Sequence, residues 1–167
     1  MLKPLILVLF VLSSGEAMAQ VPLDRDKSVA FFGIIFLDTS AEGAYSGKKP
    51  EEVARIGLLE KAVSDRFADE GFTFADLTPV AEELERTTNP AKCYGCDLRM
   101  GEKLGAGYVL VGEVQKVSNL ILSMNLVMRE IPDGRMVRGM SVDIRSNTDD
   151  SWLRGMRYIL KNNFFKT

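Results

Sequence analysis

Apolar positions follow two distinct periods along the chain. Residues 28–37 read SVAFFGIIFL, a nearly unbroken apolar run of the kind that forms a strand covered on both faces. Residues 38–49 (DTSAEGAYSGKK) are polar and Gly-rich and read as a loop. Pro50 suits the first turn of a helix, where its missing N–H costs little, and Glu51 and Glu52 suit the positive end of the helix dipole. Val53, Ile56, Leu59, Val63 and Phe67 recur at spacings of three and four, which predicts an amphipathic helix closed by Gly71. Residues 72–77 (FTFADL) read as a short strand. Thr78 is placed to cap a further helix, which Asn89-Pro90 breaks, and residues 97–104 form another, stopped by Gly105.

The second half changes period. Residues 108–117 are strand-like, with Glu113 and Gln115 expected to face outward. From Leu120 to Arg129 apolar Leu120, Leu122, Met124, Leu126 and Met128 alternate with Ile121, Ser123, Asn125, Val127 and Arg129, the period of a half-buried strand. Pro132-Asp133-Gly134 is a turn signal, and residues 136–145 return with Met140, Val142 and Ile144 on one side. The four methionines at 124, 128, 136 and 140 read as core filler, although a soft metal or hydrophobic surface has the same composition. A last helix starts near Thr148 or Asp149, with Trp152, Met156 and Ile159 or Leu160 as its apolar stripe. The expected order is β-α-β-α-α-β-β-β-α. The fold class is α/β: one mixed sheet, parallel in its early strands and ending in a three-stranded antiparallel meander, packed with helices.

The first residues change the picture of where the protein works. Lys3, the apolar run at 5–12 (LILVLFVL) and Ala17-Met18-Ala19 make a secretory signal peptide over residues 1–19, with cleavage expected before Gln20. The run is too short to span a bilayer, so no membrane span is expected in the mature chain. No Cys lies near the cleavage site, so a lipid anchor is not expected. The simplest destination is the bacterial periplasm.

Composition then removes reactions. The 167 residues include 21 Lys+Arg, 23 Asp+Glu, two Cys and no His. Without His there is no Ser-His-Asp or Cys-His catalysis, no His-ligated zinc and no His-ligated haem. A net charge of -2 argues against nucleic acid as a partner. No cofactor or metal is expected. Glu113 and Asp143 are the minimum carboxylate kit of a glycosidase, but nothing in the sequence fixes their separation. Gly105-Ala106-Gly107 precedes a strand rather than a helix, which is the wrong geometry for a phosphate loop.

Two segments carry candidate chemistry. Cys93-Tyr94-Gly95-Cys96 can close a disulfide in an oxidising compartment. It also stands before a helix, where a thiolate is stabilised, so thiol-disulfide exchange is the alternative; Asp97 opposes it, and no strand leads into the motif. Residues 145–152 (RSNTDDSW) form the densest polar cluster. Arg145, Asn147, Asp149, Asp150 and Trp152 read either as a strand-to-helix turn, with capping residues and an aromatic anchor, or as an interaction surface. With Asp143, Asp149 and Asp150 also offer carboxylates to a hard cation, without EF-hand spacing.

Residues 104–112 (LGAGYVLVG) resemble the helix, Gly-Ala-Asp, strand, Gly passage of TolB amino-terminal-like domains and of the related CsgG-like proteins. Residues 114–122, 141–152 and 154–160 are similar to a bacterial family of secreted proteins of unknown function, whose members carry a CxxC ahead of the Leu-Gly-Ala helix. The resemblance covers about residues 28–163. It implies that residues 20–167 form a TolB amino-terminal-like α/β domain in the periplasm, where that domain takes part in protein contacts. It transfers no catalytic residue. The expected role is a non-enzymatic accessory or interaction module with a periplasmic protein partner.

Overall fold

The computed structural model describes residues 20–166; the segment 1–19, expected to be a signal peptide, lies outside the described residues. Four strands form one sheet in the order β1-β2-β3-β4: β1 (Val29–Asp38), β2 (Tyr108–Lys116), β3 (Ile121–Glu130) and β4 (Met136–Arg145). β1 and β2 run parallel, and β2, β3 and β4 form the expected antiparallel meander. Gly33, at φ 81, makes a bulge in β1 that only glycine adopts readily. The freed N–H of the next residue, Ile34, donates to Glu60 Oε1 at 2.9 Å.

The main helices are α2 (Pro50–Asp69) and α5 (Asp149–Ile159), which cover one face of the sheet. Their stripes, Leu59, Val63 and Phe67 from α2 and Trp152, Met156 and Ile159 from α5, have no exposed surface. They pack on Leu122, Met124, Leu126 and Met128, which are equally buried. The first residue of the expected β3 stripe, Leu120, falls outside the strand and is 71% exposed. Gly155 lets α5 close on β4, since a Cβ there would stand 2.6 Å from Ile144 Cγ2. A π-turn at Leu160–Phe164 follows, and Phe164 and Phe165 close the core around Phe67.

The other face is covered only over β1 and β2. There α4 (Cys96–Lys103), with the short α3 (Ala81–Glu85) and two 3-10 turns, buries Met100, Val80 and Cys96 against Ala30, Phe32, Val109 and Val111. Over β3 and β4 the side chains on this face are exposed or half-buried, with no helix among the described residues packed on them. The methionines divide accordingly: Met124 and Met128 are core, and Met136 is 62% exposed.

Three expected elements differ. Thr78 does not cap a helix but begins a 3-10 turn (Thr78–Val80), and α3 covers only Ala81–Glu85. Residues 72–77 make no strand; one bridge, Phe74 to Val29, is all that pairs. Phe72 and Phe74 turn into the aromatic cluster of Phe67, and Asp76 then draws the chain into a turn by accepting from Thr78 N–H and O–H. The expected loop at 38–49 contains α1 (Ala41–Ser46), capped by Ser40 Oγ, which accepts from Gly43 N–H.

Candidate functional site at the carboxyl end of the sheet

The parallel strands β1 and β2 end side by side, with Asp38 in register with Lys116. Lys116 has no exposed surface. Its Nζ donates to Glu52 Oε1 at 2.7 Å, Asp38 Oδ2 at 3.2 Å and Glu42 Oε2 at 3.4 Å. Ser40 N–H and O–H bind Asp38, and Lys49 Nζ binds Glu42 at 2.5 Å. The Lys49 and Asn119 bonds hold Glu42 down at about 2. For Asp38 and Glu52 burial pushes upward, but the hydrogen bonds of Ser40, Lys49, Asn147 and Lys116 outweigh it and leave both below the usual carboxylate range. Burial works against the Lys116 ammonium, yet Glu52 and Asp38 raise it above 10.5.

Asn147 extends this network to α5. Its Nδ2 donates to Glu52 Oε1 (2.7 Å) and Asn119 Oδ1 (3.3 Å); its Oδ1 accepts from Trp152 Nε1 (3.0 Å) and Arg55 (3.1 Å). All four hydrogen-bonding positions of the amide are used. Arg55 also binds Asp149 Oδ1 at 2.6 Å and lies over the Trp152 ring. Thr148 Oγ1 caps α5 by accepting from Ser151 N–H.

The five polar-cluster residues therefore divide. Trp152 is wholly buried and Asn147 is committed to the internal network, so neither side chain is offered to a partner. Arg145, Asp149 and Asp150 are exposed; Asp149 is paired with Arg55 and Asp150 with Arg154. Sequence reading missed Lys116 and Glu52. It assigned Val53 to the apolar face of α2, where Val53 is 56% exposed and Glu52 is buried in its stead. A lysine at the end of a strand and a glutamate at the start of a helix look solvated until topology brings them together.

The carboxylate pair does not form. Glu113 is buried, not outward, and accepts from Lys92 (2.7 Å) and Asn89 (2.7 Å). The register places Asp143 opposite Ser123 and Glu113 opposite Asn125, with β3 between. They stand two strands apart, with Asp143 exposed and the Glu113 carboxylate already committed to Lys92 and Asn89, so the structure does not bring the two together.

Cys93 and Cys96 are joined by a disulfide, with Cα atoms 5.4 Å apart. Cys96 faces the core patch under α4, and the motif follows a 3-10 turn, not a strand. Between them Tyr94, at φ 53, is 99% exposed. Asp97 is buried and ion-paired with Arg129.

The edge of the sheet at β4 is half covered. Gly139 N–H donates to Asn163 Oδ1, and the Arg145 carbonyl accepts from Ser151 Oγ, so odd-numbered residues of β4 turn their backbone groups away from β3. Among the described residues, the outward N–H and C=O of Ser141 and Asp143 have no partner. Beside them a groove of about 410 Å³ opens between β4 and α5, with Val142, Ile144 and Gly155 on its floor and Arg154 and Tyr158 at its rim. No described helix is long and apolar enough to cross a membrane.

The family model DUF3280, described as a protein of unknown function (DUF2380), matches residues 27–164. Among solved structures the chain is similar to the LpoB C-terminal domain from Salmonella enterica, with a TM-score of 0.53 and 11% identity over 74% of this chain and 86% of that one. It is also similar to a point variant of the PelC dodecamer from Paraburkholderia phytofirmans, with a TM-score of 0.50 and 10% identity over 85% of this chain and 92% of that one. At these identities the likeness is one of fold. No curated protein matches the chain.

Proposed function

We propose, from the premise that the chain belongs to the DUF3280 family of proteins of unknown function, that it is a non-enzymatic periplasmic accessory module that binds another protein. A TolB amino-terminal-like ancestry and export through a signal peptide at residues 1–19 belong to the same reading. The observation that carries it is the open stretch of β4. Unpaired backbone groups on an exposed edge are a template for a further strand, and most folds cover or blunt them. Here Ser141 and Asp143 leave theirs open beside an apolar groove, the arrangement used when an extended segment joins a sheet and sets alternate side chains into pockets. Arg145 and Asp150 flank this edge, and Tyr94 stands out on the far side of the sheet.

The test places a photocross-linking residue at Asp143 and, separately, at Lys61 on the outer face of α2, in cells that export the protein. A discrete adduct is expected at position 143 only, and Ser141→Pro should remove it. Proline there deletes an outward N–H and leaves the β3 ladder intact. Equal labelling at both positions, or an adduct indifferent to Ser141→Pro, would count against the edge.

A further inference from the structure

A second cation besides Lys116 is buried, and the fold treats it differently. Arg138 is 7% exposed, and among the described residues no carboxylate pairs with it. Its guanidinium donates only to main-chain oxygens: Val137 at 2.7 Å, Val21 at 2.8 Å and Phe164 at 3.5 Å. These carbonyls satisfy N–H groups but supply no counter-charge, and two of the five guanidinium N–H groups are left over. Burying an unpaired charge is costly. The strain registers in the group itself, since burial pulls the Arg138 pKa below the usual arginine value.

Arg138 lines a pocket of about 600 Å³ on the side where β4, the end of α2 and the segment after α5 meet. Arg25 and Lys166 add two more cations to its wall. Among the described residues the one carboxylate lining it, Glu70, is already shared by Arg25 at 3.2 Å and Arg66 at 2.5 Å. Phe72, Phe164 and Phe165 supply the apolar wall. The volume lies in the range of small-molecule sites, roughly 300–1,000 Å³.

We propose that this pocket binds an amphiphilic anion: an oxyanion headgroup seated on the Arg138 guanidinium, with an apolar body against Phe72, Phe164 and Phe165. A planar guanidinium with N–H groups to spare matches a carboxylate or phosphate-type head. The aromatic wall selects against a bare inorganic anion. This site is separate from the β4 edge at Ser141 and Asp143 and does not depend on it.

Isothermal titration calorimetry of the purified protein with decanoate tests the assignment, with decanol, decylammonium and inorganic phosphate as comparison probes. Saturable one-to-one decanoate binding is expected, about tenfold or more tighter than any of the other three. Arg138→Met should abolish it while leaving the thermal midpoint unchanged or raised, because the unpaired charge is gone. The rim variant Arg25→Glu/Lys166→Glu changes only exposed groups and carries the same decision if Arg138→Met does not fold; it should weaken decanoate by about tenfold. Decanol or phosphate binding as tightly as decanoate, no decanoate heat at millimolar concentration, or an affinity indifferent to these substitutions would overturn the site.

Discussion

At Lys116 an ammonium group without exposed surface meets the carboxylates of Glu52, Asp38 and Glu42, which come from three different elements. Removing Lys116 leaves Glu52 and Asp38 charged and buried without a cation, while Glu42 keeps Lys49. Lys116→Met should therefore cost about 3–5 kcal/mol, read from denaturant unfolding. Glu52→Gln keeps the shape and the Asn147 contact and should cost less. If both variants unfold at the wild-type midpoint, the network contributes nothing to stability. Asn147 extends the same argument, because its amide joins Glu52 to Trp152 and so ties the orientation of α5 to the ends of β1 and β2.

At the scale of elements, the disulfide and α4 act together. Cys96 opens α4 and points into the patch of Ala30, Val109 and Met100, while Gly95 and Tyr94 hold left-handed backbone conformations that let so short a loop close. A buried thiol beside the Asp97 carboxylate is poorly placed to exist as thiolate. The reduction potential of the Cys93–Cys96 pair should accordingly lie below about −300 mV. A value between about −120 and −230 mV would instead mark a working oxidoreductase, and the interaction reading would have to yield to thiol exchange. Elements with long regular periods, such as α2, β3, β4 and α5, were legible in the sequence because one face of each meets one core. Residues 72–77 were not, because a composition suited to a strand does not reveal that Phe74 turns to Phe67 after a single bridge. The site was legible only in part. Asn147 and Trp152 stood out as a polar cluster, but Lys116 and Glu52, 64 residues apart, carry no local signal of their pairing.

For the whole molecule, the shifted groups define a window of pH. Glu42, at about 2 in the fold against 4.5 ordinarily, contributes stability that is present above 4.5 and lost as pH falls toward 2. Asp38, Glu52 and Glu130 are lowered as well and act in the same direction. Lys116 and Lys27 are raised, so their contribution is present below 10.5 and is lost only as pH rises through their higher folded values. The thermal midpoint should be nearly flat from about pH 5 to 10 and should fall steadily below 4.5. A midpoint that rises on acidification to pH 3 would contradict the network.

The span of these contacts also bears on the order in which the molecule assembles. Asn147 reaches Glu52 across 95 residues, and Lys116 reaches Asp38 across 78. The Lys116 bonds cannot form until β1, β2 and α2 have come together, and the Asn147 bond also needs the start of α5 in place, so the network belongs to a late stage of folding, after most loop closure is complete. A substitution at Lys116 should then leave the refolding rate almost untouched and appear in the unfolding limb of a chevron plot. The buried lysine is in that sense a latch, set once the door is shut, and its loss should shorten the lifetime of the native state.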